Sequence, residues 1–264
     1  MGEAIVITSG KGGVGKTTSS ANIGTALAML GKKVCMIDTD IGLRNLDVLM
    51  GLENRIIFDL VDVVEGRCRL EQAIVRDKHF EDRLVMLPAA QTKDKSAVTP
   101  DQMKKLVEKL KPSYDYILLD SPAGIEQGFN NAVAGADQAI VVTTPEVSSI
   151  RDADRVIGIL EKRGLSSPKL IINRIRPHMT KKLEQVGVDE IVQILGIDLL
   201  GIVPDDEAII KMTNEGVPTV MDPHSRASQA YRNIARRILG ETVPLMRLEA
   251  KESVFGKMKK MFGL

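Results

Sequence analysis

The sequence predicts a doubly wound α/β fold built on a mostly parallel sheet. Three observations carry that prediction: seven near-continuous apolar runs, helical patterns between them, and a glycine-rich loop joining the first run to the first helix. Strands covered by helices on both faces bury both sets of alternating side chains, so they read as unbroken apolar stretches. The intervening segments are long enough for the right-handed crossovers that parallel pairing requires.

Residues 3–9, Glu-Ala-Ile-Val-Ile-Thr-Ser, form the first predicted strand, and residues 17–30 a helix closed by Gly31. A second strand is expected at 33–38, where the apolar run stops at Asp38. Further strands are predicted at 84–88, 116–120, 138–143, 169–173 and 199–204, with helical patterns at 100–110 and 148–163. A helix over 226–239 closes the fold, with Gly240 as its cap. Residues 1–240 are therefore expected to be one domain, 241–250 a linker with a proline and no period, and 251–264 a separate terminal element.

Gly10-Lys11-Gly12-Gly13-Val14-Gly15-Lys16-Thr17, followed by Thr18, fits the phosphate-loop pattern G-x-x-x-x-G-K-[ST]. In that motif backbone N–H groups wrap the phosphates, the lysine reaches the β and γ oxygens, and the hydroxyl ligates Mg²⁺. Strand, loop and helix occur in the order the motif needs. Lys11 is surplus to it: either a solvated loop charge or a lysine pointing across to the phosphates of a second nucleotide.

Ligands of doubly wound sheets collect at the carboxyl ends of the strands. Asp38, Asp40, Asp120, Asn173 and Asp205 fall at such ends. Asp120 ends the run Tyr-Ile-Leu-Leu-Asp, the form of a strand that delivers one carboxylate to the metal. Ser121-Pro122-Ala123-Gly124 would then sense the terminal phosphate. Asp38 and Asp40 are two residues apart, so one could hold a metal-bound water and the other orient the attacking water.

Lys and Arg total 36 against 35 Asp and Glu, which leaves no global charge for nucleic acid or membrane; such binding must be local. The chain has no tryptophan and few aromatic residues, arguing against stacking surfaces for single strands. Cys35 and Cys68 lie outside any metal spacing and read as reduced thiols of a cytosolic protein. No apolar run approaches the length of a membrane span. In the terminal segment, Val254, Phe255, Met258, Met261 and Phe262 share one helical face, while Lys257, Lys259 and Lys260 lie off it. With Leu264, these residues make a basic amphipathic helix suited to the headgroup region of an anionic bilayer. A net charge near +3 contributes about 3 kcal/mol there, so one tail binds weakly and two on a dimer bind far more tightly.

The run Lys11-Gly-Gly-Val-Gly-Lys16-Thr-Thr resembles the deviant Walker A box of the MinD/ParA family, and loop, carboxylates and tail together resemble its MinD branch of cell-division site-selection ATPases. The resemblance implies a Mg²⁺-dependent ATPase, cytoplasmic and peripheral on the inner membrane face. It implies that Lys11 contacts the nucleotide of a dimer partner, that Lys16 serves its own, and that Thr17, Asp38 and Asp120 serve the metal, the carboxylates through water. It assigns Asp40 to the attacking water, and Asn173, Arg174, Pro204 and Asp205 to the adenine. Asp152 and Asp154 match positions used for dimer or partner contacts. The implied partners are a second copy, a MinC-type division inhibitor, a MinE-type activator or polar scaffold, and an anionic membrane. The alternatives are a ParA-type DNA-partition ATPase, for which Arg232, Arg236 and Arg237 could supply a basic patch, and a flagellar-number regulator. The guanine signature Asn-Lys-x-Asp is absent, since Arg174 follows Asn173, and no cysteine is placed to ligate a cluster.

Overall fold

The computed structural model describes residues 1–176 and 186–246. In chain order the described elements are β1 (Glu3–Thr8), α1 (Lys16–Met29), β2 (Val34–Asp38), α2 (Leu46–Met50), α3 (Leu60–Val64), α4 (Leu70–Ala73), β3 (Val75–Arg76), β4 (Leu84–Leu87), α5 (Pro100–Leu110), β5 (Tyr116–Asp120), α6 (Gln127–Ala134), β6 (Gln138–Thr143), α7 (Val147–Lys162), β7 (Lys169–Ile175), α8 (Val188–Leu195), β8 (Leu199–Pro204), α9 (Glu207–Asn214) and α10 (Arg226–Ile238). The strands form one sheet in the order β3-β4-β2-β5-β1-β6-β7-β8. Every pairing is parallel except β3 with β4. All seven predicted strands are present. The eighth, β3, is a two-residue edge strand too short to give a pattern.

Alternation along β1 explains the two layers. Ala4 and Val6 enter a core shared with α5, α6, α7 and α8, whereas Ile5 and Ile7 enter another shared with α1, α2 and α10. Burying an aliphatic side chain of this size stabilises by about 1.5–3 kcal/mol, and β1, covered on both sides, anchors both cores. Its central place also sets the register: Ile7 pairs with Asp120 on β5, and Asp120 pairs with Asp38 on β2. Strand neighbours lie about 5 Å apart, so the end of β1 and two carboxylates are brought to one spot by sheet order alone.

Local chemistry starts and stops the helices. Thr99 accepts from the Gln102 N–H while the Gln102 side chain accepts from the Thr99 N–H at 2.9 Å, and Pro100 opens α5. Gly31 and Gly240 follow α1 and α10 at φ 85 and 84, where a side chain would be strained. Asp206 serves two helices at once. Its carboxylate accepts from the Ala208 N–H of α9 at 3.0 Å, from the Ala227 N–H of α10 at 3.1 Å, and from the Ser225 hydroxyl at 2.8 Å.

Burial pushes the Asp206 pKa up, but the N–H groups of Ala227, Ala208 and Arg226 and the Ser225 hydroxyl outweigh it and hold the carboxyl below its ordinary value. A depressed carboxylate stabilises the fold above its unfolded pKa, and that contribution fades as pH falls through the folded value. Asp206→Ala is expected to cost about 2 kcal/mol near neutral pH, read by urea unfolding. The gap from the parent protein should close in acid; a pH-independent gap would show that the charge is not what holds the two helix starts.

Candidate nucleotide-binding site

The loop from Gly10 to Thr17 leaves the end of β1 and turns directly into α1, whose first helical residue is Lys16. Gly15 precedes it at φ 96, with no side-chain cap and no acidic residue in the first turn. The opening N–H groups of a helix have no partner within it, and its dipole favours an anion there. This helix start is thus shaped for phosphate.

Several glycines are required by their neighbours. A Cβ on Gly10 would sit 2.2 Å from the Asp152 carbonyl oxygen of α7, and one on Gly15 2.2 Å from the Asn173 amide nitrogen. Gly13 lies at φ 78, with Gly12 exposed beside it. Val14 is buried, and its carbonyl accepts from Asn173 Nδ2 at 2.8 Å, tying the loop to the end of β7. The Asn173 Oδ1 accepts from the Arg174 N–H at 2.9 Å, with Arg174 in the left-handed region at φ 56.

The two lysines have different surroundings. Lys16 is only 8% exposed and acts electrostatically on Asp120 and Asp40. The Lys11 side chain is 42% exposed and reaches the start of α7, its Nζ 3.0 Å from Ser148 Oγ and 3.4 Å from Glu146 Oε2. Glu146 and Ser148 flank the start of α7, and no spacing in the sequence links them to Lys11.

Asp120 is buried and accepts from Ser20 Oγ at 2.7 Å, with the Thr17 hydroxyl close enough to act on its charge. Burial drives its pKa up, against the pull of Lys16, Ser20 and Thr17. Asp38, also buried, accepts from the N–H groups of Asp40, Asn45 and Leu46 at 2.9, 3.2 and 3.2 Å. Burial and then the Asp120 charge raise its pKa. Two carboxylates so placed gain from any added cation. Asp40, half-buried, has its pKa raised by burial against Lys95 and Lys16, and its Oδ1 is buried without a hydrogen-bond partner. These residues fit a Mg²⁺-bound phosphate group: an open helix start, a buried lysine, Thr17 beside Asp120, and an unpartnered oxygen on Asp40. Sequence reasoning missed Ser20, although it lies one turn beyond Lys16, and missed Lys95.

Beside the loop, a groove of about 410 Å³ is lined by Gly15, Thr18, Asn173, Arg174, Arg176 and Asp205, among others. Arg176 pairs with Asp205 at 2.5 Å across it. Pro204 lines an adjoining groove of about 700 Å³. The residues expected around a base are therefore gathered beside the phosphate loop. On α7, Asp154 is exposed and Asp152 half-buried. The predicted tail residues 251–264 lie outside the described residues. Arg232, Arg236 and Arg237 do not form a free basic patch: they bond the Val220 carbonyl, Glu241 and three backbone carbonyls respectively.

Gly15→Ala would strain the backbone by about 1–3 kcal/mol and drive a methyl group into Asn173. Titration with a fluorescent ATP analogue should show affinity reduced roughly tenfold or more, at 1.4 kcal/mol per decade. Unchanged affinity would mean that the nucleotide does not sit on this loop.

Residues 5–220 match the family model described as CobQ/CobB/MinD/ParA nucleotide binding domain. The septum site-determining protein MinD of Bacillus subtilis is 65% identical, covering 100% of this chain and 99% of its own length. Among solved structures, the MinC:MinD cell division protein complex of Aquifex aeolicus aligns with a TM-score of 0.87 at 53% identity, over 93% of this chain and 99% of that one. MinD of Pyrococcus horikoshii, complexed with Mg-ADP, aligns with a TM-score of 0.82 at 33% identity, over 90% and 96%. With its phosphate loop, buried lysine and paired carboxylates in place, the chain belongs to the MinD/ParA family of nucleotide-binding ATPases, in the branch of septum site-determining MinD proteins.

Proposed function

We propose that this chain is an ATPase that cycles between monomer and ATP-bound dimer, docks on the membrane as a dimer, and there recruits a MinC-type division inhibitor. The observation that carries the proposal is the different setting of the two loop lysines. Lys16 is buried within electrostatic reach of Asp120 and Asp40, whereas Lys11 is partly exposed with its charge only loosely engaged. An exposed pair such as Lys11 with Glu146 contributes little, about 0–1 kcal/mol, so Lys11 is cheaply released toward a second molecule.

In this reading the loop N–H groups and Lys16 would hold the ATP phosphates, Thr17 would ligate Mg²⁺, and Asp120 and Asp38 would hold it through water. When bound, Mg²⁺ neutralises charge building on the phosphate oxygens. Asp40 orients a water at the γ-phosphorus. The new P–O bond forms as the bond to the β,γ-bridging oxygen breaks, giving ADP and phosphate. Lys11 of the partner adds positive charge only in the dimer, which makes hydrolysis depend on dimerisation. The groove along Asn173 and Asp205 takes adenine, and the Mg-ADP complex of the Pyrococcus horikoshii relative supports both ligands. The MinC:MinD complex of the Aquifex aeolicus relative supports the division inhibitor as partner; we assign the α7 surface carrying Asp152 and Asp154 to dimer or partner contacts.

Residues 1–240 serve as the ATPase domain and 251–264 as a membrane-targeting helix. No helix among the described residues is long and apolar enough to cross a membrane, so anchoring falls to the tail.

Lys11→Ala should retain most nucleotide binding while losing ATP-driven dimers, as read by light scattering; persistent dimers would refute the cross-dimer role. Asp40→Ala should keep ATP binding and lose turnover by on the order of a hundredfold, in a phosphate-release assay. Unchanged turnover would remove Asp40 from the chemistry. Sedimentation with anionic vesicles should pellet the full chain with ATP but not with ADP, and should fail for a chain ending before Lys251. Pelleting with DNA instead would contradict the membrane reading.

A further inference from the structure

The last described residues do not leave the domain freely. The Arg237 guanidinium, on the final turn of α10, donates to the Leu200 carbonyl of β8 at 2.9 Å, to the Val243 carbonyl at 2.9 Å and to the Pro244 carbonyl at 2.8 Å. One side chain thus bridges a strand and the segment that follows the closing helix. Arg236 adds a second tie, pairing with Glu241 at 2.8 Å, and Met246 packs against the core formed by α1, α2 and α10. Close packing supports the bridge: Gly201 leaves no room for a side chain, since a Cβ there would meet Ile234 at 2.4 Å and the Arg237 guanidinium at 3.4 Å. Only arginine offers a planar fork with donors enough for three carbonyls; lysine is a point charge on a flexible stem.

We propose that Arg237 is a clasp that fastens residues 243–244 to the edge of β8, so that the chain length between the domain and residues 251–264 is counted from residue 246 rather than from the end of α10. The proposal rests on the reading of 251–264 as a membrane-targeting helix. Its consequence is quantitative. With the clasp closed, about four residues separate the domain from that helix; with it open, about ten do. Effective concentration falls roughly as the −3/2 power of tether length once the tether can span, so an open clasp weakens two-tail attachment by about fourfold. Nucleotide binding and turnover are untouched, because Leu200 lies near the start of β8, at the opposite end of the strand from Pro204, which lines the groove adjoining the site.

The test uses the full chain with Cys68→Ser and Leu245→Cys, carrying a nitroxide at position 245, where the native side chain is 44% exposed. Cys35 is fully buried and stays unlabelled. Arg237→Gln should change the spin label from restricted to mobile. It should also weaken ATP-dependent binding to vesicles of three parts phosphatidylcholine to one part phosphatidylglycerol by about fourfold, with ATPase activity in solution unchanged. Arg237→Lys, which keeps the charge, should release the label nearly as fully. A label that stays restricted in both variants, or one released with vesicle binding unchanged, overturns the proposal. If the parent protein itself ignores vesicles, the membrane reading fails, and the label still decides whether the clasp exists.

Discussion

The arrangement that the rest of the structure serves is a set of opposed charges removed from water at the carboxyl ends of β1, β2 and β5. Lys16, Asp38 and Asp120 are each at most 8% exposed. Unpaired buried charge is costly, so such groups persist only where geometry lets them compensate one another. The strand order supplies that geometry. Placing β5 between β1 and β2 sets Asp120 opposite both Ile7 and Asp38, and the loop leaving β1 returns Lys16 to the same spot. Two carboxylates against one lysine leave a deficit of positive charge, and a helix start without an acidic residue faces them. A Mg²⁺-bound polyphosphate meets both needs.

Much of this was legible in the sequence. Strands buried on both faces write their whole length as apolar residues, so seven of the eight could be placed to within a residue or two. The helices α2, α3 and α4 were missed because four or five residues do not complete a readable period, and the eight-residue α6, α8 and α9, barely two turns each, were not picked out either. The antiparallel edge strand β3 was missed for the same reason. The phosphate loop and the carboxylates at the strand ends were legible because their chemistry demands fixed spacing. What lay beyond reach were ties between distant segments. Asn173 holds the Val14 carbonyl across 159 positions, and Ser20 reaches Asp120 across 100. For the same reason Arg232, Arg236 and Arg237, close in sequence, could read as a basic patch for the DNA-partition alternative, when each is spent on bonds within the domain.

The same ties connect the site to the rest of the molecule. Ser19 on α1 meets the Tyr231 hydroxyl of α10 at 3.2 Å, in the core below the loop. Asp206, next to the groove at the end of β8, starts both α9 and α10. The helix that opens at the nucleotide groove therefore closes at Arg237, where the chain toward the tail is fastened. The phosphate loop, the groove beside it and the segment fastened by Arg237 are thus parts of one packed layer rather than modules strung along the chain. Lys11 is the exception: its contacts, to Glu146 and Ser148, are at the surface and cheaply exchanged.

The central claim, that Lys11 completes the site of another subunit, is tested most directly by mixing two inactive proteins, Lys11→Ala and Asp40→Ala. In a mixed dimer, the Lys11→Ala subunit keeps its own Asp40 and receives Lys11 from its partner, so one of the two sites is whole. The mixed dimer keeps one of the two Lys11 bridges, so with the Asp40→Ala protein in excess to drive its formation, turnover per Lys11→Ala subunit should recover to at most about half of the value for a parental dimer. If Lys11 acts only within its own chain, neither site in the mixed dimer is complete. A mixture as inactive as its two components would contradict the account.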